Sequence, residues 1–228
     1  MTSNQSLYLY FCAGLVAFTC VAYELLLGSY ATFLMGASIF QYSLVISLMM
    51  LNMGIGAFVT KRLEKNCFQA FFLVEILLSW CAISAVPLMY LSFALNFAPS
   101  KVLIFFVSLL GLGIGMEIPL LSHMNPSPKS LSQILFSDYL GGFLGGLAFP
   151  ILLFPWLGFF QIGALLGLIN ALIALSFLIL FRQPLKRSLT LWYFLIGTTL
   201  VFCLTEVLFA ETIRIAMEGY LFGIDKRL

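Results

Sequence analysis

Apolar residues run along this chain in seven long blocks, separated by short clusters of charge, proline and glycine. The blocks cover roughly residues 7–34, 39–60, 68–92, 101–122, 133–155, 158–181 and 189–210. About 20 consecutive apolar residues in a helix cross a bilayer. A helix also satisfies its own backbone hydrogen bonds, which hydrocarbon demands. Strands of a membrane barrel would alternate every second residue, and these blocks do not. The pattern therefore predicts an all-α integral membrane fold, a bundle of about seven transmembrane helices over residues 1–210. The first block is long enough to be kinked. Residues 211–228 mix Arg214, Glu218, Lys226 and Arg227 with Ile213, Ile215, Leu221 and Phe222. That mixture predicts a short amphipathic tail, interfacial or loop-like.

The breaks have chemical reasons. Lys61, Arg62, Glu64 and Lys65 end the second block, and Pro99 and Ser100 precede the fourth. Asn125-Pro126-Ser127-Pro128-Lys129 is the clearest loop, because each proline removes a donor and fixes φ. Pro155 and Gly158 mark a tight connection, and Arg182, Pro184, Lys186 and Arg187 separate the last two blocks. Composition agrees: 62% of residues are hydrophobic, 9% are charged, and the mean hydropathy is +1.10. Soluble domains carry about 25% charged residues. The net charge of +2 says little about partners, because the placement of charge matters more than the total, and no nucleic-acid partner is expected.

No basic residue precedes the first block, so it lacks the start of a secretory signal peptide and is expected to stay as a helix. Lys61, Arg62, Lys65, Lys129, Arg182, Lys186 and Arg187 fall on one side of a seven-span chain, against Lys101, Arg214, Lys226 and Arg227. By the positive-inside rule the N-terminus is cytoplasmic and the tail lies across the inner membrane.

Against this apolar background five carboxylates stand out: Glu24, Glu75, Glu117, Asp138 and Glu206. An acid at bilayer depth costs roughly 2.5 kcal/mol or more. No lysine or arginine accompanies them in the apolar parts of those blocks. They are the candidate cation- or polyamine-binding residues. The alternative is structural, with each carboxyl protonated or hydrogen-bonded to a neighbouring helix. Position along alternating helices places Glu75, Glu117 and Asp138 toward one side, and Glu24 and Glu206 toward the other. Pro119 frees a carbonyl near Gly115, beside Glu117. Tyr23 beside Glu24 offers a hydroxyl that a buried carboxyl can use.

Other residues carry less. Cys12, Cys20, Cys67, Cys81 and Cys203 read as small buried hydrophobes, without metal or disulfide spacing. His123 reads as a surface or capping residue. No cofactor and no metal is expected. Gly111/Gly115, Gly141/Gly145, Gly142/Gly146 and Gly163/Gly167 each form a G-x-x-x-G face, so the fourth, fifth and sixth helices should pack tightly. A homo-oligomer through these faces is a possible assembly. A phosphate-cradling role for Gly111–Gly115 lacks the strand it would follow.

Three strings carry a family resemblance. They are Tyr23-Glu24-Leu25-Leu26, Gly115-Met116-Glu117-Ile118-Pro119-Leu120, and Asp138-Tyr139-Leu140-Gly141-Gly142-Phe143-Leu144-Gly145-Gly146 with Phe149-Pro150 and Pro155-Trp156-Leu157-Gly158. In that order they resemble the membrane domain of membrane-bound spermidine synthase-like proteins, the polyamine aminopropyltransferases, from about residue 20 to 180. The resemblance implies a soluble synthase domain downstream, and this sequence stops at about where it would begin. No synthase motif has a counterpart here, so no catalytic residue carries over. The domain would then act beside a separate soluble synthase chain or alone. A cytosolic synthase would need the tail inside, opposite to the side that charge assigns.

Three functions are open at this level. The first is a membrane domain binding a cationic small molecule, a polyamine being the class the resemblance favours. The second is a proton- or cation-coupled transporter, with the acids at two levels exchanging protons. The third is a structural membrane partner subunit. An enzyme in its own right is not expected from one histidine and no activated nucleophile.

Overall fold

The computed structural model describes residues 3–125, 128–181 and 189–222. Seven long helices account for almost all of them. They are α1 (Ser3–Met35), α2 (Ser38–Val59), α3 (Cys67–Ala94), α4 (Pro99–Met124), α5 (Pro128–Ala148), α6 (Phe159–Leu180) and α7 (Leu189–Phe222). All seven are long and apolar enough to cross a membrane, and the apolar cores match the expected blocks closely.

The connections that are described are short, so consecutive helices are antiparallel. Gly36 (φ 73°) and Ala37 (φ 51°) turn the chain between α1 and α2. Left-handed residues commonly close a helix in this way. Two 3₁₀ turns, Thr60–Arg62 and Glu64–Asn66, join α2 to α3. Asn96 and Ala98, both at positive φ, lead into Pro99, which occupies the first turn of α4 where its missing N–H costs nothing. Beyond Ala148 the fifth helix widens into a π turn, Phe149–Leu153, around Pro150, and ends at Trp156. Proline removes one intrahelical bond, and a widened turn is a common local response. At Gly158 the backbone N–H donates to Gln161 Oε1 at 3.0 Å and starts α6.

One expectation changes. The chain from Glu211 to Phe222 continues α7 without a break, so this part of the tail is neither a loop nor a separate helix. At about 1.5 Å per residue, the 34 residues of α7 exceed what a bilayer core requires. The connection containing Arg182, Pro184, Lys186 and Arg187, with Pro126, Ser127 and residues 223–228, lies outside the described residues.

The glycines explain the packing. The strongest helix pairs are α1 with α5, α2 with α4, and α3 with α6. A Cβ on Gly141 or Gly145 would strike the backbone carbonyls of Gly14 or Phe18 on α1. One on Gly115 or Gly56 would strike Met53 or Leu112 across the α2–α4 contact. One on Gly163 or Gly167 would come within 3.0 Å of the carbonyls of Ala82 or Ser79 on α3. The expected tight packing of α4, α5 and α6 is present, but each packs on a different partner. Gly111/Gly115, Gly141/Gly145 and Gly163/Gly167 are therefore occupied by contacts within the chain. Gly142 and Gly146 meet only the Val21 side chain, at ordinary van der Waals distance.

Candidate functional site

Glu24, Glu117 and Asp138 line one cavity of about 590 Å³. It lies in a cleft whose sides come from α2 (Ile46, Met50, Met53) and α5 (Asp138, Tyr139, Gly142, Phe143). Its other walls come from α1 (Val16, Ala17, Cys20, Val21, Glu24) and α4 (Ile114, Glu117, Ile118). Close packing of α5 on α1 and of α2 on α4 brings these four helices together, while α2 and α5 make little contact with each other. Met50, Tyr139 and Phe143 on the flanking walls are exposed, so the cleft opens through the apolar side of the bundle.

Helical register aims the acids. Val16, Cys20 and Glu24 recur every four residues and share one face of α1, as do Ile114 and Glu117–Ile118 on α4. Asp138 and Gly142 do the same on α5, and the absent side chain at Gly142 leaves room beside the carboxylate. Glu24 and Asp138 are half-buried. Glu117 is 1% exposed, and no lysine or arginine lines the cavity.

Behind Glu117 lies Glu75 of α3, 0% exposed. The two carboxyls are within electrostatic reach of each other. None of their four oxygens has a hydrogen-bond partner among the described residues. The hydroxyl of Tyr23 is buried, unpartnered and within electrostatic reach of both. A buried polar atom without a partner costs about 1–3 kcal/mol, so four such carboxyl oxygens at the base of a cavity are a concentrated deficit.

The two-level sorting of the acids changes accordingly. Glu24 joins Glu117 and Asp138 at one cavity instead of pairing with Glu206. Glu24 lies 11 residues before Met35, the end of α1, and so well short of that end. Glu206 on α7 is 7% exposed, with one oxygen unpartnered, and lines none of these walls. His123 does lie at the surface. Its Nε2 is 3.5 Å from Glu64, tying the end of α4 to the turn before α3. The five cysteines are buried.

Two contributors were not singled out beforehand. Cys20 lines the cavity within reach of all three acids. Asn170 on α6 is fully buried, with both amide atoms unpartnered. Ser79 Oγ donates to the Gly167 carbonyl at 2.7 Å, so one turn further along antiparallel α3 and α6 Asn170 and Glu75 stand at the same level. An asparagine inside so apolar a helix was the signal available for it.

Comparison with known proteins returns one name repeatedly. A polyamine aminopropyltransferase of Ralstonia nicotianae is 35% identical over 175 residues, 74% of this chain and 34% of the relative. One from Oceanobacillus iheyensis is 31% identical over 81% of this chain and 37% of the relative. One from Streptomyces coelicolor is 31% identical over 92% of this chain and 42% of the relative. Most of this chain is similar to part of the polyamine aminopropyltransferases. These similarities support the family resemblance carried by the glutamate, proline and glycine motifs. The chain spans about a third to two-fifths of the length of these curated relatives. No family model and no solved structure matches it.

Proposed function

We propose that this chain is a membrane-embedded domain of a spermidine synthase-like protein, and that it binds a cationic amine, of the polyamine class, in the acid-lined cavity. The observation that carries this reading is Glu117: nearly fully buried, without a hydrogen-bond partner among the described residues, and lining a cavity that also holds Glu24 and Asp138. An ammonium group is a compact donor of three hydrogen bonds. In the cavity it would satisfy the Glu117 carboxylate while Glu24 and Asp138 take further donors. Ile46, Met50, Ile114 and Phe143 would enclose the methylene segments between ammonium groups. The relatives' name, which includes the word polyamine, supports this class of ligand.

The test is equilibrium binding of radiolabelled spermidine to the purified full chain in lipid nanodiscs. The expected result is saturable binding that the Glu117→Gln, Asp138→Asn double substitution weakens by at least about tenfold, roughly 1.4 kcal/mol. Unchanged affinity in that double variant would remove the site from consideration.

A further inference from the structure

The acid-lined cavity opens at mid-height of its helices. Its α2 walls, Ile46, Met50 and Met53, lie inside Ser38–Val59, well away from either end. Its α5 walls, from Asp138 to Phe143, lie inside a helical run that starts at Pro128 and ends at Trp156. Exposed apolar side chains, Met50, Tyr139 and Phe143, flank the gap between α2 and α5. In a bundle that spans a bilayer, mid-height is the depth of the hydrocarbon core, so this opening faces acyl chains. Behind it Glu117 is buried and without a hydrogen-bond partner among the described residues. A shallow groove leads away from the acids. Gly142 lines the cavity, and Gly146 lies one turn further along the same face of α5. An added Cβ at Gly142 or Gly146 would meet only Val21 of α1, at 3.4 or 3.6 Å. From Asp138 to Gly146 the helix rises about 12 Å.

We propose that the cavity takes a long-chain cationic amine from the bilayer, with its ammonium head on Glu117, Asp138 and Glu24 and its alkyl tail along the Gly142–Gly146 face of α5. The proposal rests on the membrane-embedded, amine-binding reading above, and it gives the ligand of that site an apolar tail. The unpartnered Glu117 and the two acids beside it select a cationic head. No lysine or arginine lines the cavity, so nothing there matches a phosphate, and a zwitterionic phospholipid would set its phosphate against three carboxyls. The position of the opening selects the tail. An amine already anchored in lipid brings one head group a short distance sideways into the cleft. A free polyamine taking the same route would shed the hydration of every ammonium group at once. The tail then lies between Val21 on α1 and Met50 on α2, over the surface that the two glycines leave bare. No covalent bond forms or breaks.

Two other occupants compete for the same gap. One is an ordinary acyl chain, which would fill the groove and leave Glu117 without a donor. The other is a helix of a second copy, docked on Gly142 and Gly146. The apolar parts of this chain's own helices hold no lysine or arginine, so a second copy would bring no cation to the three acids. A long-chain amine supplies both the charge that the acids lack and the apolar surface that the groove lacks.

The experiment is saturable binding of radiolabelled dodecylamine, butylamine and spermidine to the full chain in phosphatidylcholine nanodiscs, with uptake by empty nanodiscs subtracted. Wild type is expected to bind dodecylamine at least about tenfold tighter than butylamine, through the methylenes it buries. Glu117→Gln should weaken dodecylamine by at least about fivefold, through the lost charge-assisted bond. Gly146→Leu fills the groove from an open position and should weaken dodecylamine about fivefold, while butylamine stays within about twofold. The comparison of chain lengths in wild type needs no variant to fold. Equal affinity for the two chain lengths, or a dodecylamine affinity unchanged in Gly146→Leu, overturns the tail groove and leaves the amine site standing. Dodecylamine binding unchanged in Glu117→Gln assigns the gap to an alkyl chain alone and overturns the proposal. A dimer in detergent that Gly146→Leu separates assigns the face to a second copy and overturns it too. Spermidine binding without dodecylamine binding overturns the proposal alone. Dodecylamine binding without spermidine binding upholds it and overturns the free polyamine as ligand. Binding of neither overturns the amine reading and the proposal together.

Discussion

The two sides of the bundle are built by the same device and end differently. In the half made of α1, α2, α4 and α5, glycines bring α5 onto α1 and α2 onto α4, at backbone contact. The two tight pairs leave α2 and α5 apart, and the gap is the acid-lined cavity. In the half made of α3, α6 and α7, Gly163 and Gly167 likewise bring α6 onto α3. There the groove that remains, about 570 Å³ between Trp80 and α7, is lined by no acid. Ser79 bonds the Gly167 carbonyl, Trp80 Nε1 donates to Thr199 Oγ1 at 3.0 Å, and the Trp80 and Phe202 rings stack 4.8 Å apart. Glu206 sits in this half, midway along α7, and does not line the cavity. An acid in an apolar helix thus becomes part of a candidate site only where neighbouring helices leave room beside it.

The largest way to break this contrast is to force the tight pairs open. Gly141→Val drives a branched side chain into the Gly14 carbonyl on α1, and should cost about 3 kcal/mol or prevent folding. Thermal unfolding in detergent checks it, with a lowered midpoint and lost spermidine binding expected together. Gly167→Val should destabilise comparably, because it meets Ile83 and the Ser79 carbonyl.

Next in size is the contrast between acids. Glu117→Gln should weaken spermidine binding by about 2 kcal/mol, in keeping with a lost charge-assisted bond. Glu206→Gln should change it by less than about twofold, or roughly 0.4 kcal/mol. Equal effects in a binding isotherm would dissolve the distinction between the halves. Ser79→Ala removes a buried hydrogen bond in the half without the acid-lined cavity, and should lower stability by about 1 kcal/mol without altering affinity. The smallest effect is expected at Gly54, where an added Cβ meets nothing within 4 Å. Gly54→Ala should stay within about 0.5 kcal/mol of wild type in both assays.

How much of this could be read in advance differs by feature. The blocks of apolar residues mapped onto the seven helices, because helix length and apolarity are local properties. The motifs around Glu24, Glu117 and Asp138 marked the same three acids that meet at the cavity. Their grouping by depth went astray at Glu24, since a place late in the block was taken as near its end, whereas Glu24 lies 11 residues before Met35. The tail was judged by its charges, but backbone bonding carries α7 through to Phe222. Glycine spacing showed that α4, α5 and α6 each have a close-packing face. It held no information on which neighbour would fill that face.

What the sequence alone determined was the helical class, the places where helices start and stop, and the identity of the acids that need an explanation. Each follows from short stretches of chain, where periodicity, proline, glycine and the cost of a charge act locally. Only the tertiary structure decided that Glu24, Glu117 and Asp138 share a cavity, that Glu75 lies behind Glu117, and that Glu206 stands apart. Those relations depend on which helices touch, and the contacts join residues far apart in the chain through backbone surfaces on both partners.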